Sequence, residues 1–208
     1  MSEEKNNICV DEKIMLERSH KLAKYLLKKY AETINQSETR TIGEIKALVD
    51  GSDLSIQSIT QEFKPKDYSF QENYLEALKK AYAFVCKNIE YVEDDFGINY
   101  WLTPKEVLEA KVCDEEDMSV VLCSLMKALG DDNANIIIAE MSDMKTHSFV
   151  TTQIGENYYI LDPTQQHEFN LYSGKKPEVM RKFDFKGQKI KKFLYRFNSQ
   201  KYEQFIDE

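Results

Sequence analysis

Trp101-Leu-Thr-Pro104, Lys111-Val-Cys113-Asp-Glu-Glu-Asp-Met-Ser119, Ala128-Leu-Gly130, Thr146-His147-Ser148 and Leu161-Asp162-Pro163 follow one another between positions 101 and 163. A thiol, an imidazole and a carboxylate therefore occur in the order Cys113, His147, Asp162. A cysteine nucleophile needs a base to form its thiolate and a third group to orient the base. A helix N-terminus is where such a thiol is usually found. The positive end of the helix dipole lowers its pKa from about 8.5, and backbone N–H groups there stabilise an oxyanion.

The segments around this run give the pieces a physical setting. Residues 114–129 read as a helix ending at Gly130, a residue suited to a C-cap. Thr103-Pro104-Lys105-Glu106 opens a shorter helix, with proline preorganised for the first helical position. Tyr74, Leu78, Tyr82 and Val85 fall on one stripe of a helix over 70–90, where Cys86 reads as a core residue. Upstream, 10–33 reads as an amphipathic helix, Thr41-Ile-Gly-Glu44 as a capping box, and 53–62 as a further helix. After Gly130 the pattern turns to strands. Residues 135–139 are an apolar run, 148–153 and 158–161 flank a hairpin turn at 154–157, and 189–197 suggests a late strand. Helices followed by antiparallel strands define an α+β class. The segments divide as a helical extension over 1–65, a central domain over 66–170, and a basic, strand-bearing tail over 171–208.

Composition bounds the function. The 208 residues are 42% hydrophobic and 31% charged, enough to bury a sizeable core. The net charge of −8 argues against a nucleic-acid partner, and no apolar run is long enough to span a membrane. The N-terminal residues show no secretory signal pattern. Four cysteines without close pairing suggest a reducing, cytoplasmic setting. They do not combine with His20, His147 or His167 at zinc-finger spacing, and His20 and His167 read as surface residues. Charge is uneven: residues 90–117 carry ten acids and two lysines, and residues 171–201 carry ten Lys/Arg and two acids. These stretches are either two solvated faces that attract each other, or an acidic site rim and a basic strip for a protein or peptide partner.

The ordered run resembles the transglutaminase-like superfamily, in particular the small archaeal and bacterial members and the bacterial transglutaminase-like cysteine proteinases. Those carry W-x-T-P-x-E-x-L, G-D-C-E-D, a helix ending in A-L-G, then a His and a D-P. The resemblance covers about residues 74–165 and implies a papain-like α+β core. It also implies a cysteine peptidase, amidase or acyl-transferase acting through Cys113, His147 and Asp162. In some related proteinases calcium is held by acids beside the nucleophile, which here implicates Asp114, Glu116 and Asp117. Three or four carboxylates are fewer oxygens than calcium takes, and the same acids suit the first turn of a helix.

The match has a fault at the nucleophile. In that family the cysteine lies fifteen residues before the glycine that ends its helix, and fifteen before Gly130 stands Glu115. The ungapped match places Cys113 on the family's glycine. Helix geometry agrees. At about 100° per residue, Glu115 shares the face of Met118, Ser119, Leu122, Met126 and Leu129, expected to be the buried one. Cys113 projects about 160° away from Glu115 on the same wheel. The expectation is a degenerate member with a binding or regulatory role, built on Glu115, His147 and Asp162. The alternative is an active cysteine enzyme that uses Cys113. Trp101 is either a wall of the site pocket or a core aromatic.

Overall fold

The computed structural model describes residues 17–18, 20–26, 40–93 and 100–206. Of the expected helix over 10–33, residues 20–26 are helical and carry the buried Leu22 and Leu26; Ile14 and Tyr30 lie outside the described residues. Helix α1 (Ile42–Ala47) opens with the capping box that the sequence shows. Thr41 Oγ1 accepts the Glu44 N–H at 3.3 Å, and the Glu44 carboxylate accepts the Thr41 N–H at 2.7 Å. Helix α2 (Leu54–Phe63) is capped by Asp53. Helix α3 (Phe70–Asn88) buries the stripe of Tyr74, Leu78, Tyr82 and Val85. Strand β1 (Glu90–Tyr91) follows it.

Helix α4 (Pro104–Ala110) starts at a second capping box, Thr103 with Glu106, and has proline in its first turn. It ends at Lys111, whose φ of 56° turns the chain sharply. That turn feeds a strand absent from the sequence reading, β2 (Val112–Cys113), which pairs in parallel with β1. Helix α5 (Glu115–Ala128) begins directly after it. Every residue of α5 from Asp117 to Met126 is buried, so the expectation of a single buried face is too narrow. The reason is location: α5 packs against α2, α3 and α4 on one side and the sheet on the other. Gly51 lets the loop before α2 reach α5, because a Cβ there would stand 2.8 Å from the Ala128 nitrogen. Ser124 adds a polar tie by accepting the Asp50 N–H at 3.1 Å.

The remaining chain forms one antiparallel sheet of β3 (Asn135–Met141), β4 (Thr146–Ile154), β5 (Asn157–Leu161), β6 (Ser173–Gly174), β7 (Ile190–Phe197) and β8 (Tyr202–Gln204). Its order is β6-β5-β4-β3-β7-β8. The hairpin expected around 154–157 joins β4 to β5. Strand β4 starts two residues earlier than the apolar pattern suggested, which places His147 within the strand, opposite Ala139. The sequence reading did not find helix α6 (Lys176–Lys182) or the short β6 and β8. Helix α6 opens at Lys175 without a side-chain cap, and Pro177 in its first turn is its one start signal. One core joins the helices to the inner face of the sheet, and a smaller one, around Phe149, Tyr172 and Phe183, fills the other side. The architecture is α+β, a papain-like or transglutaminase-like core with helices N-terminal to it. Among the described residues no helix is long and apolar enough to cross a membrane.

Candidate functional site

The start of α5 meets the middle of the sheet. Asp114 is the N-cap and accepts the Asp117 N–H at 3.0 Å. Glu115 is the first helical residue, at the end of the dipole that favours a negative charge. Strand β4 lies alongside, held to the helix by the Ser148 hydroxyl, which donates to Ser119 Oγ at 3.0 Å. This register brings His147 to Glu115. The hairpin return through β5 delivers Asp162 to the opposite edge of the same imidazole.

The result is a buried row of carboxylate, imidazole and carboxylate. His147 Nε2 lies 2.8 Å from Asp162 Oδ2. Its Nδ1 has Glu115 Oε1 at 3.7 Å, within ion-pair range and beyond hydrogen-bond reach, and no hydrogen-bond partner among the described residues. The imidazole side chain is fully buried, and Glu115 is 17% exposed. Burial opposes a charge on the ring. The hydrogen bond to Asp162 and the Glu115 carboxylate outweigh it and hold the His147 pKa up at about 9. The ring is therefore an imidazolium at neutral pH, with a carboxylate on each side.

Each carboxylate is itself held. Tyr91, on β1, donates its hydroxyl to Glu115 Oε2 at 2.8 Å. Asp162 caps the short 3-10 turn Pro163–Gln165. Its Oδ1 accepts the Thr164 N–H and hydroxyl at 3.1 and 2.6 Å, and Oδ2 accepts Gln165 Nε2 at 2.8 Å. The Tyr82 hydroxyl donates to the Asp162 backbone carbonyl at 3.0 Å. Phe185 closes the site from above, its ring stacked on the imidazole at 3.5 Å between centroids and 13° between planes. Next to it Lys186 pairs with Glu93 at 2.6 Å, which joins the basic and acidic stretches of the sequence at one point.

Cys113 lies two residues before Glu115 in the chain. It lies on β2, its backbone carbonyl accepts the Val92 N–H at 2.9 Å, and its side chain is fully buried in the main core. Burial, then the charges of Asp117, Asp114 and Glu116, raise the thiol pKa well above its ordinary value. That is the opposite of what a nucleophilic cysteine requires.

Trp101 is half-buried, with its ring 5.9 Å from Phe197, and it lines a cleft of about 520 Å3. Glu116 and Thr146, the sequence neighbours of Glu115 and His147, line the same cleft. Glu116 has its pKa raised to about 8, by burial first and then by the charges of Asp114 and Glu115.

The three acids considered for calcium do not form a metal cage. Asp114 caps the helix, and Asp117 is buried with Oδ1 accepting the Leu102 N–H at 2.7 Å, which ties the Trp101 loop to α5. Among the described residues no group of three or more His, Cys, Asp or Glu is arranged to hold an ion. Calcium takes six to eight oxygens, and one oxygen each of Asp114 and Asp117 already accepts a backbone N–H.

Of the other residues considered, Cys86 is half-buried, with its sulfur 3.7 Å from the Pro163 carbonyl. His167 is exposed and within 3.0 Å of Gln165 Oε1, and His20 is exposed. Sequence reasoning missed Thr164 and Gln165, although an aspartate followed by proline is a helix-start signal. It also missed Tyr91 and Phe185, for which no local pattern exists. Both reach the site through strand pairing and a turn.

Comparison with known proteins agrees with this architecture. Residues 99–192 match the family model described as CEP76 peptidase-like domain. No curated protein matches the chain by sequence. Among solved structures, calcium-bound LapG from Legionella pneumophila is similar with a TM-score of 0.51 and 18% identity, over 72% of this chain and 76% of LapG. EGTA-treated LapG from the same organism gives 0.51 and 17%, over 81% and 87%. At these identities the likeness is one of fold, and it places the chain in the transglutaminase-like architecture that its motif order resembles.

Proposed function

We propose that this chain is a peptidase-like domain whose cysteine site has become a structural ion row, and that it serves as a binding or regulatory module for a protein or peptide partner. The observation that carries this reading is the group facing His147 at the helix start: it is the Glu115 carboxylate, at 3.7 Å. A carboxylate there neutralises the imidazolium instead of giving up a proton to it, so no thiolate is generated. Two features support the reading. The Cys113 thiol is in the core with a raised pKa, and Phe185 covers the imidazole face. The cleft beside Trp101 is left as the place where a partner's side chain is received. The free thiols Cys86, Cys113 and Cys123 suit a reducing, cytoplasmic setting.

The test compares the wild type with the double variant Cys113→Gly/Glu115→Cys, which restores the family's pattern. Wild-type Cys113 is expected to resist iodoacetamide in the native state near neutral pH. The introduced thiol is expected to be alkylated, and its labelling to be abolished by His147→Ala. Rapid labelling of wild-type Cys113 that depends on His147, or amide hydrolysis by the wild type equal to that of the restored form, would overturn the proposal in favour of an active cysteine enzyme. Calcium enters through the calcium-bound state of LapG. Melting followed during a calcium titration is expected to show no shift at millimolar levels. A rise would show that the acids at 114–117 recruit further oxygens.

A further inference from the structure

Helix α6 and strand β7 enclose a second groove, of about 620 Å3, with no residue of the ion row among its lining. Its rim carries Lys176, Arg181, Lys189, Lys191 and Lys192, and among the described residues no carboxylate lines it. Its floor is apolar: Met180, Ile190 and Phe193 are half-buried there, and Phe205 meets Phe193 edge-on at 6.0 Å between centroids. Phe205 follows the edge strand β8 and donates its N–H to the Leu194 carbonyl at 2.9 Å, so the floor is fixed by backbone pairing.

The protein's own carboxylates offset part of this charge. Lys191 pairs with Glu140, Lys192 stands 4.0 Å from it, and Lys189 stands 3.5 Å from Asp184. Lys176 lies over the Tyr158 ring at 5.2 Å, and Arg181 donates Nε–H to the Pro177 carbonyl at 3.3 Å. Neither of these two pairs with a carboxylate among the described residues. A concentrated positive rim over an apolar floor persists in a chain of net charge −8. Such a groove attracts negative charge and then desolvates apolar side chains.

We propose that this groove docks an acidic segment of a partner protein that carries aromatic or aliphatic anchors. The carboxylates meet Lys176 and Arg181, and the anchors lie on Phe193, Phe205 and Ile190. Charge complementarity and the apolar floor select this occupant together. A nucleic acid would bring a charge density that the chain's overall −8 repels. A bilayer needs apolar side chains that project outward, whereas three of the four here are half-buried in the groove floor. The proposal goes beyond the loss of catalysis and does not depend on it.

A random-peptide display library selected against the full chain tests this directly. The enriched sequences are expected to be acidic, with at least one aromatic or aliphatic residue. Synthesised with a fluorophore, they are expected to weaken on raising salt from about 0.05 M to about 0.3 M. They should also bind about tenfold or more weakly to Lys176→Glu/Arg181→Glu. Both positions are exposed, so this variant should melt with the wild type. If it does not, Lys176→Gln/Arg181→Gln takes its place under the same criteria. Phe205→Ala is expected to weaken binding without changing the salt dependence. The proposal is overturned by no enrichment, by enrichment of neutral or basic peptides, or by binding indifferent to the charge reversal. Tighter binding by a DNA duplex or by phosphatidylserine vesicles would also overturn it.

Discussion

The two ends of α5 each adjoin a buried carboxylate, and the two are satisfied by different chemistry. Beyond the C-terminal end, Asp131 is 1% exposed and accepts hydrogen bonds from the Tyr74 hydroxyl, from Thr152 Oγ1 at 2.6 Å and from the Asn133 N–H at 2.8 Å. All three donors are neutral, and they come from α3, β4 and the adjoining turn. At the N-terminal end, Glu115 and Asp162 share one imidazolium, and Tyr91, Thr164 and Gln165 complete the row. Both arrangements pin the same helix to the same sheet. The first is a fixed tie between elements. The second carries formal charge and lies beside a cleft. The helix is thus anchored twice, and one anchor changes with pH.

The largest effect is expected from Asp131→Ala. It strands the buried Tyr74 and Thr152 hydroxyls in the core and takes the acceptor from the exposed Asn133 N–H, a loss of about 3–5 kcal/mol. Urea unfolding measures it. The loss should be flat between pH 6.5 and 9. Its donors do not titrate there, because burial and the Asp131 charge hold the Tyr74 phenol well above its ordinary pKa. A loss that varies over that window would show that this end is also a charged device, and the contrast would fail.

His147→Ala comes next, at about 2–4 kcal/mol near pH 6.5. It removes the only cation between Glu115 and Asp162 among the described residues, while Asp162 keeps its bonds to Thr164 and Gln165. The folded pKa of about 9 lies above the ordinary value of 6.5. The stability it contributes is fully present below about pH 6.5 and is lost as pH rises through 9. The gap between wild type and variant should therefore shrink across that interval. A gap that stays constant would mean that His147 acts through packing alone, against Phe185 and Phe149.

The order of legibility follows from the range of the interactions. The capping box at Thr41, the proline that opens α4, the burial of Tyr74 and Tyr82, and the β4–β5 hairpin are local patterns, and the chain displays them openly. The pairing of His147 with Asp162 was legible because the hairpin that joins them is short. The placement of Glu115 came from counting back from Gly130. The burial of Cys113 came from elsewhere: a turn at Lys111 with positive φ sends the chain into a strand paired with residues 90–91. Phe185 and Tyr91 arrive by the same kind of long-range register, which no periodicity reveals. The all-round burial of α5 was illegible because it depends on helices and strands far away in sequence. Helix α6 went unseen because Lys175 offers no capping side chain, which left Pro177 as its one start signal.

Glu115→Gln probes the contrast most finely, because it keeps shape and removes one charge. The amide oxygen can still accept the Tyr91 hydroxyl, so the expected loss near neutral pH is small, about 1 kcal/mol. The informative quantity is the pH profile. The Glu115 charge helps raise His147 to about 9 and also helps raise Glu116 to about 8. In both cases the folded protein holds a proton that the unfolded chain releases at lower pH, so wild-type stability declines as pH rises from about 5 to 9. Removing the Glu115 charge lowers both pKa values and flattens that decline. The variant should therefore be less stable than wild type at pH 6 and equal to it, or better, at pH 9. A crossing of the two curves follows from one carboxylate acting on two protonated neighbours. Parallel curves would show that Glu115 does not hold the imidazolium, and would return the helix start to an ordinary acidic first turn.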